Sequence, residues 1–490
     1  MQCHIPQGKC QWQTPTPQSV HRRADGRRAH QSKAIIIKKN ERVSNMRVSG
    51  LLLIAALIAA PLIHFVPLMA KHDPSAIFSQ FIGCAALIAM AISQVMATRI
   101  RIIEPIFGGL DRVYVLHKWL GIAAVVAILL HDTIDAEING LGRETWLSDL
   151  AETLGEFSLY GFIILALITI VTFIPYHLWR WSHKLMGAFF ALSAFHFAFI
   201  SKPFSNTEPV SVYVLLMCAA GLVAYVYTLF PTIFGRKSVP YLVEQTERTG
   251  GALTVQLKPV DRAVRHKAGQ FSFVSFDLPD LKETHPFTIS SAPNPAGLLQ
   301  FTIKPMGDYT AKLGAQLKPG TKAYLSSAFG HFRLRQSAKG QIWIAGGIGI
   351  TPFNAWLQEA TSEHGNIDLF YCIRGRANAP HLEQIEQAAA KLNNLNLHIV
   401  DTSKQSRLSA STIAQSISSD LSTANIYYCG PAPMREALRR DLHSKGVAHR
   451  RFHYEEFEIR SGIGVRKIIK LMVQKSGLAG KYPELLGKLA

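Results

Sequence analysis

The chain of 490 residues has six cysteines, Cys3, Cys10, Cys84, Cys218, Cys372 and Cys429, and no C-x-x-C pair among them. That excludes a zinc ribbon, a plant-type iron–sulfur site and covalently attached haem, each of which needs closely spaced thiols. Any haem here is held without a covalent bond. Acidic residues are also scarce, 33 against 52 Lys and Arg, giving a formal net charge of +19. A nucleic-acid partner is one reading of that surplus. The basic residues, however, are scattered through the second half or sit beside apolar runs, where membrane orientation explains them better and no nucleic acid is expected. Residues 1–45 lack apolar periodicity and the form of a cleaved signal peptide. They read as a basic, disordered tail whose charge is a solvated face or a lipid contact, and Met46 offers an alternative start directly before the first apolar run.

What is present in the first half is hydrophobic length. Six apolar stretches lie near 48–68, 76–97, 114–131, 157–176, 185–200 and 210–231, and most can cross a hydrocarbon core of about 30 Å. The fifth is short and needs its flanks. Arg99, Arg101 and Arg112 lie between spans two and three, Arg180 and Lys184 between four and five, and Arg236 and Lys237 follow six. The opposite loops hold Lys71, the acidic segment Asp132–Glu156 and Lys202. The positive-inside rule therefore puts both termini and the second half in the cytoplasm, with a multi-pass anchor in the cell membrane.

Histidines mark the third and fifth spans. His117 and His131 stand fourteen positions apart in LHKWLGIAAVVAILLHD, which on a regular helix is roughly 21 Å and within about 40° of one face. Span five, WSHKLMGAFFALSAFHFAFI, carries His183 and His196 at matching depths. An ionisable group inside lipid is costly unless it has a partner, so it is a functional candidate by default. Spans three and five run the same way, so His117 can face His183 and His131 can face His196, each pair supplying two axial ligands to one haem iron. The thirteen-residue spacing leaves the second pair roughly 140° apart on an ideal helix, a mismatch that distortion must absorb. His64 and His177 read as polar contacts between helices. Phe189, between the two levels, is either a bridge between macrocycles or a core or lipid-facing aromatic.

After about residue 235 the pattern becomes soluble α/β. Short β runs, YLVEQ, GALTVQLKP and GQFSFVSFDL, precede HPFTISSAPN. In the latter, His285, Pro286, Phe287, Thr288, Ser290 and Ser291 offer hydroxyls and edge amides suited to the polar rim of a flavin. In TIKPMGDYT, Lys304, Gly307 and Thr310 are candidates for its diphosphate, with the threonine opening a helix. QIWIAGGIGITP reads strand, glycine turn and helix start with Pro352 at the first position, so Gly346, Gly347, Gly349 and Thr351 can admit a dinucleotide pyrophosphate, although the spacing is not G-x-G-x-x-G. IDLFYCI, LNLHIVD and ANIYYCG alternate with helical segments, which implies a parallel sheet. Arg374 and Arg376 are either takers of a ribose 2′-phosphate, favouring NADPH over NADH, or a solvated loop. Cys429, Gly430 and Pro431 end the last strand, with Cys429 either against a nicotinamide or a buried structural thiol. Phe457 is either a flavin cover or core, and GVRKIIKLMVQK is either an amphipathic surface helix or a packed tail.

Histidines fourteen and thirteen apart on two spans, followed by HPFTISSAP, AGGIGITP and CGP in that order, resemble the ferric reductase and NADPH oxidase superfamily over about 48–460. The resemblance implies two b haems on His117, His131, His183 and His196, FAD at His285–Thr288, NADPH at Gly346–Gly349 and Cys429–Pro431, and Phe457 stacked on the flavin. The chain departs from it by running on past Phe457 and by Asp135 where animal oxidases carry a further histidine. The expected fold is a membrane α-helical bundle of six spans (46–234) behind the basic tail (1–45), then a cytoplasmic β-barrel FAD domain (238–337), an α/β NAD(P)-binding domain (338–460) and a basic amphipathic tail (461–490). The expected activity is transmembrane electron transfer from NADPH through FAD and two haems to an outer acceptor. A ferric or cupric species is favoured by Asp132, Asp135 and Glu137, and oxygen reduction to superoxide ranks second. No obligate protein partner is required. From other classes, an electron-delivery subunit for a dedicated protein partner and a haem-free six-span transporter are the alternatives.

Overall fold

The computed structural model describes residues 48–134, 138, 145–170, 174, 176–230, 238–336 and 340–455. The expected tails 1–45 and 461–490, together with Phe457, Asp135, Glu137, Arg236 and Lys237, lie outside the described residues.

Nine helices precede the first strand among the described residues: α1 (Val48–Ala59), α2 (Leu62–Leu68), α3 (Pro74–Ala97), α4 (Glu104–Phe107), α5 (Leu110–Thr133), α6 (Trp146–Ile170), α7 (Tyr176–Lys184), α8 (Met186–Phe199) and α9 (Pro209–Leu229). Five segments are long and apolar enough to cross a membrane, namely Val48–Leu68, Pro74–Ala97, Leu110–Thr133, Trp146–Ile170 and Pro209–Leu229. The expected fifth stretch is shorter. Its helix α8 has 14 residues and is joined through Leu185 to α7. At that joint the amide of Leu185 bonds to Ser182 O (3.0 Å) and that of Ala188 to Leu185 O (3.0 Å), the tighter three-residue spacing of a 3₁₀ turn.

Helix α3 sits between α5 and α9, and α6 pairs with α8. The buried side chains of α3 are mostly small (Ala76, Ser79, Ala86, Ala89, Ala91 and Ser93), which lets neighbouring backbones come close where hydrophobicity alone gives no drive to associate. On the perimeter, Ile63, Val223, Leu216, Phe157 and Leu167 are more than half exposed. An apolar rim of this extent needs lipid rather than water around it.

The second half holds two sheets. The first is six-stranded and antiparallel, in the order β4-β3-β6-β1-β2-β5, from β1 (Val239–Thr249), β2 (Ala252–Pro259), β3 (Phe271–Phe276), β4 (His285–Thr288), β5 (Leu299–Ile303) and β6 (Lys322–Phe329). A single bridge, Ile289 to Phe301, links its two outer edges. Tyr241, Val255, Leu257, Phe276, Phe301 and Leu325 fill its interior. Helix α10 (Asp308–Gln316) follows β5.

The second sheet is parallel, in the order β11-β10-β7-β8-β9, from β7 (Gln341–Gly346), β8 (Ile367–Ile373), β9 (Leu395–Asp401), β10 (Asn425–Cys429) and β11 (Phe452–Tyr454). Helices α11 (Thr351–Leu357), α12 (Leu382–Lys391), α13 (Ala410–Ser416) and α14 (Ala432–Ser444) accompany it. Trp343, Phe353 and Trp356 pack in one core and Ile342, Ile344 and Phe370 in another, as expected for a parallel sheet covered on both faces. The strand order reverses between β7 and β10, the switch point where open α/β sheets gather ligands.

Candidate functional site

Two of the four histidines meet ring to ring. The rings of His117 and His183 are 6.1 Å apart between centroids and steeply inclined to one another. Two metal–nitrogen bonds of about 2 Å each, added to the two ring radii, make up roughly that separation. His131 and His196 lie within electrostatic reach of one another. The joint at Leu185 falls between His183 and His196, so the two do not share one regular helix.

The tautomers follow from the partners of Nδ1. In His117 it lies 3.0 Å from Ser93 O and 2.8 Å from Ser93 Oγ, in His131 3.0 Å from both Ser79 O and Ser79 Oγ, and in His196 2.8 Å from Ala151 O. A backbone carbonyl can only accept, so these three Nδ1 atoms carry hydrogen and Nε2 presents its lone pair, the form a metal ligand requires. His183 has a longer contact, 3.5 Å to Thr169 Oγ1. Space is made by glycine: a Cβ on Gly83 would sit 3.2 Å from the His131 ring, and one on Gly155 would sit 2.5 Å from His196 Nδ1. The residues present therefore fit axial ligation of haem. Ser79 and Ser93 escaped the reading of the sequence, yet they too are fourteen apart, matching His131 and His117 across the antiparallel α3–α5 contact. Phe189 packs on α6, against Phe157 (5.6 Å) and Phe162 (6.0 Å), over Gly161. His64 lies 3.4 Å from Glu208, the residue before α9.

In the antiparallel sheet, His285, Pro286, Phe287 and Thr288 form the edge strand β4, all half-buried. His285 lies over Tyr309 (3.8 Å) and beside Glu283 (3.3 Å), and burial holds its imidazole below the ordinary value against the pull of that carboxylate. Ser290 and Ser291 point inward instead: the Ser290 hydroxyl meets Thr302 Oγ1 (3.1 Å), and Ser291 Oγ accepts from the Gln300 amide (3.0 Å). Lys304 and Gly307 are exposed. The helix opens at Asp308 rather than at Thr310, because the Thr310 hydroxyl sits one turn in and accepts from the amides of Met306 (2.8 Å) and Gly307 (3.1 Å), capping the turn from inside.

In the parallel sheet, the glycine turn and the Cys429–Pro431 turn end adjacent strands and touch. A Cβ on Gly346 would meet Pro431 Cδ at 2.8 Å, and one on Gly349 would overlap the Cys429 carbonyl. Gly347 has open space but a φ of +55°. Thr351 is buried with its hydroxyl on Ile348 O (3.2 Å), and Pro352 is the second helical residue, not the first. Arg374 and Arg376 are exposed beyond β8, with Arg376 paired to Glu386. Cys429 is buried, and burial followed by the Glu455 carboxylate pushes its thiol well above the ordinary value.

Comparison with known proteins joins these parts. The model of a ferric reductase like transmembrane component matches residues 82–194, an FAD-binding domain 244–347 and an oxidoreductase NAD-binding domain 343–440. The chain has the ferric reductase/NADPH oxidase-like architecture. It accordingly joins a ferric reductase-like transmembrane component to FAD-binding and oxidoreductase NAD-binding domains.

Similar proteins share parts of this architecture. The toluate 1,2-dioxygenase electron transfer component of Pseudomonas putida is 26% identical over 193 residues, 38% of this chain and 57% of that protein. The carnitine monooxygenase reductase subunit of Escherichia coli is 29% identical over 174 residues, 35% of this chain and 51% of that one. A flavohemoprotein of Bordetella pertussis is 26% identical over 240 residues, 44% of this chain and 59% of its own length. The chain thus spans between about half and three-fifths of these relatives. Among solved structures, the FAD/NAD-binding domain of Vibrio cholerae nitric oxide dioxygenase has 18% identity and a TM-score of 0.40, covering 45% of this chain and 98% of that one. Flavohemoglobin from Malassezia yamatoensis has 16% identity and a TM-score of 0.44, covering 84% and 100%.

Within the ferric reductase-like architecture, the bundle meets the sheets through Glu104 and through arginines that the sequence marked only for orientation. Arg101 donates to Ala328 O (3.2 Å), Glu104 accepts from the Gly330 amide (2.7 Å), and the Arg99 guanidinium lies 3.9 Å over the Phe273 ring. Arg112, one and a half turns from His117 on α5, donates to Tyr454 O (3.1 Å) and Tyr454 OH (3.2 Å) on β11. Arg435 of α14 lies on the same ring at 4.5 Å. Beside it Glu455 is buried. Burial, with Asp111 and Glu104 nearby, drives its carboxyl well above the ordinary range, and Arg112 opposes that rise.

Proposed function

We propose that the chain moves electrons across the membrane from cytoplasmic NADPH, by way of FAD and two b haems, to a ferric or cupric acceptor outside. The observation that carries this reading is the pairing of His117 with His183 beneath His131 and His196, with Nε2 left bare by carbonyl acceptors on three of the four. Charges at the two ends of the bundle support the orientation, with Arg99 and Arg101 against the antiparallel sheet, Arg180 within electrostatic reach of His285, and Asp132 at the far end of α5. In this reading the bundle (46–234) has α7 and α8 together as its sixth span, the antiparallel sheet is the barrel of the FAD domain (238–337), and the parallel sheet is the NAD(P) domain (338–460).

When bound, these groups supply hydride acceptance at the flavin and one-electron transfer at the irons. The chain supplies position. Ser93, Ser79 and Ala151 hold the imidazole hydrogens, while Gly83 and Gly155 leave the rings room. His285–Thr288 presents an edge strand to the flavin rim. Lys304, Gly307 and the start of α10 receive its diphosphate, and Phe457 covers its face. Gly346, Gly347 and Gly349 let the dinucleotide approach backbone amides, Gly430 and Pro431 close the opposite side, and Arg374 with Arg376 takes the 2′-phosphate. Cys429, kept as a thiol, offers the nicotinamide an uncharged surface. No side chain has to act as a general base. Exposed Asp132, close in sequence to His131, and Glu152, within electrostatic reach of His196, favour a cationic acceptor.

The test is anaerobic reduction of the purified full chain with NADPH, followed by a ferric chelate or oxygen. The expected outcome is two b-type haems per chain, reoxidised faster by the chelate, with one haem lost in His117→Ala and one in His196→Ala. A preparation holding one haem or none after expression with ample haem overturns the reading.

A further inference from the structure

The segment that begins as β4 is shared between two domains. Up to Thr288 it is a strand of the antiparallel sheet, paired with Phe271. The amide of Ser290 still bonds to that sheet, at Gln300 O (2.7 Å). The Ser290 carbonyl, however, turns to α11, where it accepts from Asn354 Nδ2 (2.9 Å) and Gln358 Nε2 (3.3 Å). Gln358 Oε1 in turn accepts from the Ala292 amide (2.9 Å), and Gln358 Nε2 also reaches Asn354 O (3.1 Å). Asn354 is 4% exposed. A second arm comes from His381, which precedes α12 in a left-handed conformation (φ +59°) and meets Thr302 Oγ1 at 2.7 Å, one bond from the Ser290 hydroxyl.

Helix α11 begins at Thr351, directly after the glycine turn, and ends one residue before Gln358. Its seven residues form a rod of about 10 Å. A displacement at the turn therefore reaches Ser290 and Ala292 without being absorbed in a loop. Domain adhesion alone needs apolar area; three directed bonds from two carboxamides to one carbonyl and one amide also fix a distance.

We propose that Asn354 and Gln358 are positioning residues for hydride transfer, setting the depth of the flavin segment against the dinucleotide turn, so that nucleotide bound at the turn tightens its own approach to the flavin. This rests on the reading above that FAD and NADPH occupy those two sites. Neither side chain touches the reacting atoms. Reactions of this kind lose roughly a hundredfold when the partners are misplaced by about 1 Å, so the effect falls on the chemical step rather than on binding.

The experiment uses the full chain with FAD, mixed anaerobically with NADPH in a stopped-flow instrument, comparing wild type with Asn354→Asp, Gln358→Leu and Gln358→Glu. Hydride transfer at saturating NADPH is expected to slow roughly ten- to a hundredfold in the first two, with FAD content and nucleotide affinity retained and the nicotinamide–flavin charge-transfer absorbance weakened. Gln358→Glu keeps the acceptor for Ala292 and is expected to fall between them and wild type. Hydrogen exchange on unmodified protein gives a second readout: NADP⁺ is expected to slow exchange at Ala292, and an unchanged rate overturns the assignment even if the variants fail to fold. Variants that hold FAD and transfer hydride within about twofold of wild type also overturn it. A wild-type chain that takes up no FAD overturns the functional reading instead.

Discussion

At the scale of single residues, the destination of each Nδ1 hydrogen separates these histidines from ordinary polar contacts in a membrane. Among the described residues, His117 and His131 each have a carbonyl and a hydroxyl from one serine, His196 has a carbonyl, and His183 has the more distant Thr169. An acceptor on Nδ1 makes the imidazole a stronger electron donor to a metal on Nε2. Ser93→Ala keeps the carbonyl, and with it the tautomer, but removes the hydroxyl. Spectroelectrochemical titration is expected to find one haem shifted positive by a few tens of millivolts, the equivalent of a bond worth about 1 kcal/mol, with the other unmoved. Two unmoved haems would show that the hydroxyl has no part in tuning.

Elements show which parts of the site were legible beforehand. The alternation of IDLFYCI, LNLHIVD and ANIYYCG with helices translated into β8, β9 and β10, and the switch-point rule then brings the AGGIGITP and CGP turns side by side. Residues that act through three-dimensional neighbours were not legible. Ser290 and Ser291 look like flavin ligands because hydroxyls on a strand edge commonly face a ligand, but only the fold reveals that they face inward. Asn354 and Gln358 look like ordinary polar positions of a short helix. The division of the fifth apolar stretch at Leu185 has no proline and only Gly187, two residues on, to announce it. The three turn glycines were grouped by sequence, yet they differ physically. At Gly349 an added methyl overlaps the Cys429 carbonyl, whereas at Gly347 it meets open space and only the backbone objects. Gly349→Ala is expected to cost about 1–3 kcal/mol by overpacking, and Gly347→Ala about 1 kcal/mol for its left-handed φ. Urea unfolding of the two variants checks the order, and equal midpoints would refute it.

Across the whole molecule, pH should act through buried histidines of the second half. Burial holds the imidazoles of His381 and His453 below the ordinary 6.5, His453 at about 4 with Arg335 adding to the effect. The native form therefore keeps both neutral, while the unfolded chain takes up protons as pH drops through 6.5. Their contribution to stability is expected to fall between about pH 6.5 and about pH 4, while the raised carboxyl of Glu455 acts in the opposite sense; the urea midpoint, read by the fluorescence of buried Trp343 and Trp356, follows the sum. His453→Gln should shallow that decline, and an unaltered slope would exclude this histidine as a source. The contact of Arg112 with Tyr454 has a wider consequence. Helix α5 reaches from His131 down to Arg112, seated on β11 next to the strand that carries Cys429. A cut at the linker would therefore leave raw edges on both pieces: an aromatic ring stripped of one of its cations, and an amide at Gly330 without its carboxylate. Bundle and sheets turn on a shared axle, and the axle is the same rod that carries two of the four histidines.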